Sequence, residues 1–343
     1  MTKYVIRRLL QAIPLLILIN IFVFFLLKFA GDPFGYLALD PTVSEEDRAF
    51  LRRSLGLDDP LPLQFAHWYI GDDWYQRDLD FDGEPDTFGK RKGILRGDLG
   101  TSIRFNRPVT EVMGEFLPNT LILGGAALIT TIVFGVSIGV FAALRPYSWI
   151  DNIVTTMSFV TFSMPIFLIA LLSVLIFSIT LRELGLPHLP TSGMYDARGD
   201  RSLDELAIRL ILPTLSIAGI SIARYARFIR GSMLDVIHSD YVRTARAKGM
   251  KERRITWLHA FKNASIPLIT LVALDSPLLL SGAVVTETIF AWPGMGRLFI
   301  DSLNILDPPI LLVFVLLVSL GVVIFQLLAD IFYAWVDPRI RYT

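Results

Sequence analysis

The chain has 343 residues, of which 53% are hydrophobic, and its 32 Lys+Arg balance its 32 Asp+Glu. A soluble chain is ordinarily less apolar than its mean hydropathy of +0.55 implies, and zero formal net charge gives no general attraction for nucleic acid. With no cysteine the chain has no disulfide, thiolate nucleophile or cysteine zinc site.

Two further signals narrow the chemistry. The four histidines, His67, His188, His238 and His259, are scattered without metal-ligand spacing. No Gly-Lys-Ser/Thr phosphate loop is present, so this chain is not expected to hydrolyse ATP itself or to act as an enzyme.

In chain order, Lys3, Arg7 and Arg8 precede an apolar run from Leu9 to Phe29. That run has the roughly 20 residues a spanning helix needs, more than the about 7–15 of a cleavable leader. Residues 1–30 therefore predict a cytoplasmic N-terminus and a retained first span, with Lys28 snorkelling at its far end.

Residues 31–115 form a polar insertion on the opposite, external side. It holds ten Lys/Arg against seventeen Asp/Glu, a net of −7, with short helices expected near Ser44–Leu55 and Leu63–Tyr69. Within it, Asp78, Asp80 and Asp82 alternate and Gly83 follows, like the first half of a calcium loop. Gly89 stands at loop position 12, where such a loop has a bidentate Glu, so an acidic solvated turn is the competing reading.

Thr120–Leu144 is an uncharged second span in which Gly135 and Gly139 make a small-xxx-small pair suited to close helix packing. The third, Ile153–Thr180, carries Pro165 as an expected kink. A loop over Leu181–Glu205 leads to the weakest span: only Leu210–Ala223 is uncharged, and Arg224 and Arg227 must snorkel, or else the segment is re-entrant.

The window from Arg224 to Lys262 holds ten Lys/Arg against three acids, a net of +7, which marks it cytoplasmic. Inside it, Ser239 or Asp240 can cap a helix that Gly249 ends. Such a helix is too short to stand alone and would be held by docking into a partner's pocket.

A fifth span, Ala264–Val285, contains Asp275. A carboxylate at that depth marks a translocation path unless it is a paired or protonated packing residue. Glu287 is a second candidate for gating or packing. The last span, Pro309–Ala329, leads to a short basic tail, so both termini lie inside after six crossings.

Four stretches carry a resemblance. They are the opening YVIRRLLQAIPLLILINIFVFFLL, the run Gly97–Leu121, the segment DYVRTARAKG from Asp240 to Gly249, and Glu287-Thr-Ile-Phe-Ala-Trp-Pro-Gly-Met-Gly-Arg297. Together they resemble the permease subunits of ABC importers, in the dipeptide/oligopeptide/nickel branch, over residues 1–33 and 97–343. The insertion 34–96 is mostly without support from the resemblance and looks larger than usual. Asp307-Pro308-Pro309 departs from the usual Asp-Tyr-Pro.

The resemblance implies an all-α membrane protein with the six-helix fold of type I importer permeases. It also implies a multi-pass place in the cytoplasmic membrane and a core over residues 116–343 with a coupling segment at 228–263. Tyr241, Arg243, Thr244, Ala245, Ala247 and Gly249 would then couple to ATPases, with ATP and magnesium on those partners.

The implied assembly has a second, related permease chain, two ATP-binding subunits, an external solute-binding protein and membrane lipid. The solute would be a peptide or a similar small molecule, nickel complexes included. A stand-alone secondary transporter or channel is the competing reading, but no internal repeat supports it, and it leaves the basic segment unexplained. A membrane scaffold with an external binding domain is the third.

Overall fold

The computed structural model describes residues 2–31, 44–79, 86–196, 199, 201–277 and 283–336. It is almost wholly helical, and it adds one small feature the all-α reading lacked. Gln76–Arg77 pairs antiparallel with Thr87–Phe88, Gln76 facing Phe88.

The long apolar runs become helices that overshoot the expected spans. Helix α1 covers Thr2–Ala30, and the insertion supplies α2, Glu45–Ser54, and α3, Leu61–Ile70. Helix α4 runs from Val109 to Leu144 and so begins inside the region read as insertion. Among the described residues five helices are long and apolar enough to cross a membrane, or up to six if one bent pair counts as a span.

Three expected spans are built differently. The third is divided: α5, Trp149–Ser163, stops at Met164 and Pro165, both extended, and α6, Ile166–Glu183, is the stretch long enough to cross. Proline disfavours a helical residue before it, so the kink is a full break. The fourth is a continuous 35-residue helix, α7, Leu203–Ile237, rather than a marginal or re-entrant segment. At about 1.5 Å per residue it is about 52 Å long, against about 30 Å of hydrocarbon.

The fifth is broken. Helix α9, Glu252–Ala264, meets α10, Ile266–Asp275, at 48°. The next described helix is α11, Val284–Ile289, and the last are α12, Met295–Asn304, and α13, Pro308–Val336.

The chain forms two compact units. One comprises Leu117–Arg297 with the first eight residues and the chain from Gly321; the other comprises Leu9–Phe116 with Leu298–Leu320. In the first, Val140 and Ala143 of α4 pack on Tyr225, Ile229 and Met233 of α7 and on Ala260, Ala264 and Leu268. Gly135 and Gly139 permit this approach: a β-carbon on Gly139 would lie 2.6 Å from the Ala226 carbonyl oxygen and 2.9 Å from Ile229 Cβ.

Helix α5 packs along α7. The Asp151 carboxylate accepts from Arg230, Nη2 to Oδ2 at 2.7 Å, and Arg227 lies 4.4 Å from the Phe159 ring centroid. Two of the arginines counted as free cytoplasmic charge are therefore held by side chains of a neighbouring helix.

In the second unit the insertion has its own polar core. Arg77 reaches Asp59 at 3.1 Å and Asp72 at 2.9 Å, and Asp72 accepts the Arg91 backbone N–H at 2.8 Å. His67, 2% exposed, stands with Nδ1 3.4 Å from Asp59. Phe24 of α1 meets Phe65 of α3 edge-on at 5.4 Å. Asp307 accepts from the Ser102 hydroxyl at 2.6 Å and from the Arg104 backbone at 3.1 Å.

Candidate functional site: a short basic helix and a charged cavity

Helix α8, Asp240–Ala247, follows α7 after two residues. Eight residues cannot hold a helix by propensity alone; burial holds this one. Val242 and Ala245 are buried against Ile255, with Val236 and Met250 packed around them. Tyr241, Arg243, Thr244, Arg246, Ala247 and Lys248 are exposed.

The stop is as expected. Gly249 has φ +74°, the left-handed region where a β-carbon is penalised. Its N–H donates to the Arg246 carbonyl at 3.0 Å, and the Met250 N–H donates to the Ala245 carbonyl at 3.3 Å. That pair of reversed bonds is a Schellman stop, completed by the apolar contact of Met250 beneath the helix.

The start is not as expected. The Ser239 hydroxyl donates backwards to the Val236 carbonyl at 2.6 Å and caps no N–H. The backbone carbonyl of Ser239 instead receives the N–H groups of Val242 and Arg243, each at 3.1 Å. Asp240 is exposed, 3.9 Å from Arg243.

The rest of the segment braces this helix. Arg246 makes two hydrogen bonds to Glu252, Nε to Oε1 at 2.6 Å and Nη2 to Oε2 at 3.2 Å. Asn263 of α9 donates to the Tyr241 hydroxyl at 3.2 Å.

These contacts divide the six expected coupling residues. Ala245 belongs to the core beneath the helix and Gly249 to its stop. Tyr241, Arg243, Thr244 and Ala247 form an outward face.

A cavity of about 300 Å³ lies in the same unit. Leu123, Leu128, Ile166 and Ile217 give it an apolar wall, and its polar lining includes Arg224, Asp275, Thr120 and Glu287. Asp275 is paired: its Oδ2 accepts from Arg224 Nη2 and, at 2.8 Å, from the Tyr225 hydroxyl. Arg224 thus turns to Asp275 rather than snorkelling alone, and Asp275 is at once cavity lining and half of an ion pair. Of the pair, Arg224 is 44% and Asp275 16% exposed.

Glu287 borders the cavity but is fully buried. Oε1 accepts from the Thr120 hydroxyl at 2.9 Å and Oε2 from the Arg297 N–H at 3.0 Å. Trp292 Nε1 donates to the Asn119 carbonyl at 2.9 Å, and Asn119 Nδ2 donates to the Pro293 carbonyl at 2.8 Å. Glu287 therefore fastens the Trp292–Arg297 turn to α4.

Sequence reading missed Arg224, Thr120 and the Asp151–Arg230 pair. The usable signal was two lone charges of opposite sign, Arg224 and Asp275, each at one end of an uncharged stretch.

For the calcium expectation, Asp80 and Asp82 lie outside the described residues. Asp78 is 4.0 Å from Arg53. Gly89 lies so close to Asp72 that no β-carbon fits, so loop position 12 has no room for a ligating side chain. Among the described residues no cluster of three or more acidic or histidine side chains suits a metal.

The sequence matches the family described as binding-protein-dependent transport system inner membrane component over residues 135–342. The family's N-terminal model matches residues 1–124. The chain belongs to this family.

It is 38% identical over 344 residues to the oligopeptide transport system permease protein AppB of Bacillus subtilis, covering all of both chains. It is 37% identical over 344 residues to the glutathione transport system permease protein GsiC of Pectobacterium atrosepticum, again covering all of both. It is 35% identical over 360 residues to the dipeptide transport system permease protein DppB of Alkalihalophilus pseudofirmus, with the same full coverage. A solved amino acid ABC transporter with histidines has a TM-score of 0.47 at 17% identity, covering 66% of this chain and 94% of that one.

As a member of this family the chain is a multi-pass inner-membrane permease subunit of an ABC importer, with the helical fold of type I importer permeases. The N-terminal match and the full-length relatives also take in the insertion. It is thus part of the family's chain rather than an addition the resemblance leaves unsupported.

Proposed function

We propose that the chain is one half of a pore that brings short peptides into the cell, and that the outward face of α8 seats an ATP-binding subunit. The observation that carries this is the division of α8 into a buried Val242–Ala245 side and an exposed Tyr241–Thr244–Ala247 side. A helix with a firm base and a fixed stop is suited to transmit a push without deforming.

The substrate class rests on two supports. Relatives across the whole length are named for oligopeptide, dipeptide and glutathione transport. The cavity sets one guanidinium, Arg224, and two carboxyl groups, Asp275 and Glu287, in a largely apolar wall, which suits a small solute with polar ends and apolar side chains.

The remaining assembly follows the same reading. A second, related permease chain completes the pore, two partner subunits bind and hydrolyse ATP with magnesium, and an external protein delivers the solute to the insertion's side. Both termini are cytoplasmic.

The test uses the reconstituted complex with its ATPase and binding-protein partners. Ala247→Trp adds bulk to the exposed face and leaves the core intact. Peptide uptake should fall about tenfold or more, a loss of about 1.4 kcal/mol of coupling, with the chain still folded. Undiminished uptake by the assembled variant would overturn the docking role. Uptake of no dipeptide, longer peptide or glutathione by the unaltered complex would overturn the substrate class.

A further inference from the structure

The cations between Arg224 and Lys262 divide into two sets. Arg224, Arg227, Arg230, Arg243 and Arg246 face Asp275, the Phe159 ring, Asp151, Asp240 and Glu252. Among the described residues the side chains of Lys248, Lys251, Arg253, Arg254 and Lys262 have no partner, and all five are exposed.

Three of these stand on one side of α9. Ile255, Thr256, Ala260 and Ala264 are buried, the two alanines in the core shared with α4 and α7. The side turned away carries two rows of residues four apart, neighbours on a helix surface. One row is Arg253, Trp257 and Phe261; the other is Arg254, Leu258 and Lys262. Trp257 is 52% and Leu258 47% exposed, and Trp257 meets Phe261 edge-on at 5.3 Å. Basic residues beside an exposed Trp and Leu are the composition of a helix at a membrane surface.

The depth agrees. Ala143, one residue before the end of α4, shares a core with Ala260, which sets Ala260 near the edge of the hydrocarbon. Helix α9 meets α10, the half that enters the membrane, at 48°. It therefore descends about 1 Å per residue instead of about 1.5 Å. Arg253 and Arg254 lie about 6–7 Å below Ala260, within a headgroup layer of about 5–7 Å on each side. Helical side chains lean towards the N-terminus, which lets the Lys262 ammonium reach the same layer.

The contacts with α8 use other residues of α9: Glu252 holds Arg246, and Asn263 meets the Tyr241 hydroxyl. An acidic protein surface would match the charge alone. The exposed indole and leucine at this depth favour lipid.

We propose that these two rows bind anionic phospholipids of the leaflet on the α8 side, with Arg253, Arg254 and Lys262 at the phosphates and Trp257 and Leu258 at the upper ends of the acyl chains. Ile255 of α9 also packs under α8, so the lipid contact fixes the depth at which α8 stands. This goes beyond the transport reading and does not depend on which solute is carried.

The experiment places the purified complex in phosphatidylcholine vesicles that contain an increasing share of brominated phosphatidylglycerol or, separately, of brominated phosphatidylcholine. Bromine quenches nearby indoles. The difference in fluorescence between the unaltered chain and Trp257→Phe isolates Trp257 from the other tryptophans. Half-quenching of Trp257 should need a much smaller share of phosphatidylglycerol than of phosphatidylcholine. Arg253→Gln, Arg254→Gln and Lys262→Gln should each raise that share about fivefold, the equivalent of about 1 kcal/mol per cation at an anionic surface.

Equal midpoints for the two lipids, or an unchanged midpoint in the triple variant, would overturn the anionic lipid. No quenching of Trp257 by either lipid would show the rows covered by protein and overturn it as well. A triple variant that loses its ATP-binding subunit while keeping the midpoint would assign the rows to that partner. Where a variant fails to assemble, the two midpoints of the unaltered complex decide.

Discussion

The Thr120 hydroxyl donates to Oε1 of Glu287 over 2.9 Å and accepts the Met295 backbone N–H over 2.6 Å. One side chain thereby ties α4 to both ends of the turn between α11 and α12. Glu287 is fully buried, and its other oxygen is taken by Arg297. Hydrogen bonds to a buried charged group contribute about 1.5–3 kcal/mol. Thr120→Val, equal in shape, should lower stability by about that amount. Thr120→Ser should restore most of it. Thermal unfolding of both variants in detergent tests this.

The α4–α7 contact depends on the missing side chain at Gly139. Alanine there would press on the Ala226 carbonyl oxygen and on Ile229 Cβ, and backbone gives way less readily than a flexible side chain. Overpacking of this kind costs about 1–3 kcal/mol, and Gly139→Ala should show that loss in a denaturation series. Gly125 of the same helix has open space around it, so Gly125→Ala should be neutral or slightly stabilising.

Arg224 and Asp275 should behave as a couple. Asp275→Asn and Arg224→Gln each leave an unbalanced charge or lose the bond to it, and each should reduce uptake in the reconstituted complex. The double variant should recover part of the loss if the pair is chiefly structural. If the pair touches the solute, uptake should stay low in the double variant while thermal stability recovers. Measuring uptake and unfolding on the same three variants separates the two roles.

Burial pushes the His67 imidazolium below its ordinary pKa, and the nearby Asp59 carboxylate only partly offsets this. The charges facing it are Asp59, Asp72, Arg77 and Arg91. The folded state thus binds a proton less readily than the unfolded chain, whose histidine titrates near about 6.5. Its stabilising contribution is complete above that pH and is lost as the pH falls below it. The unfolding midpoint should drop from pH 7.5 towards 5.5 in the unaltered chain and drop less in His67→Gln. Equal slopes in the two proteins would remove His67 as the cause.

Much of this protein was determined by sequence alone, because the signals are local. An uncharged run of about 20 residues must be a buried or lipid-facing helix, whatever surrounds it. Hence α1, α4 and α13 were legible, as was the stop at Gly249, which depends on one residue's freedom to adopt positive φ. The insertion helices were legible for the same reason, through their short amphipathic runs.

What only the tertiary structure decided are pairings between residues far apart in the chain. No local rule joins Arg224 to Asp275, Arg230 to Asp151, or Thr120 to Glu287. Charge counting placed the arginines with free cytoplasmic charge because it sums residues without regard to partners. The spacing of three puts Val242 and Ala245 on one face of α8 and Ala247 on another, but it does not say what covers that face. The packing of Ile255 and Met250 under the helix supplies the cover. In a membrane chain with few charges, burying each one requires a partner, and only the folded arrangement of helices supplies it.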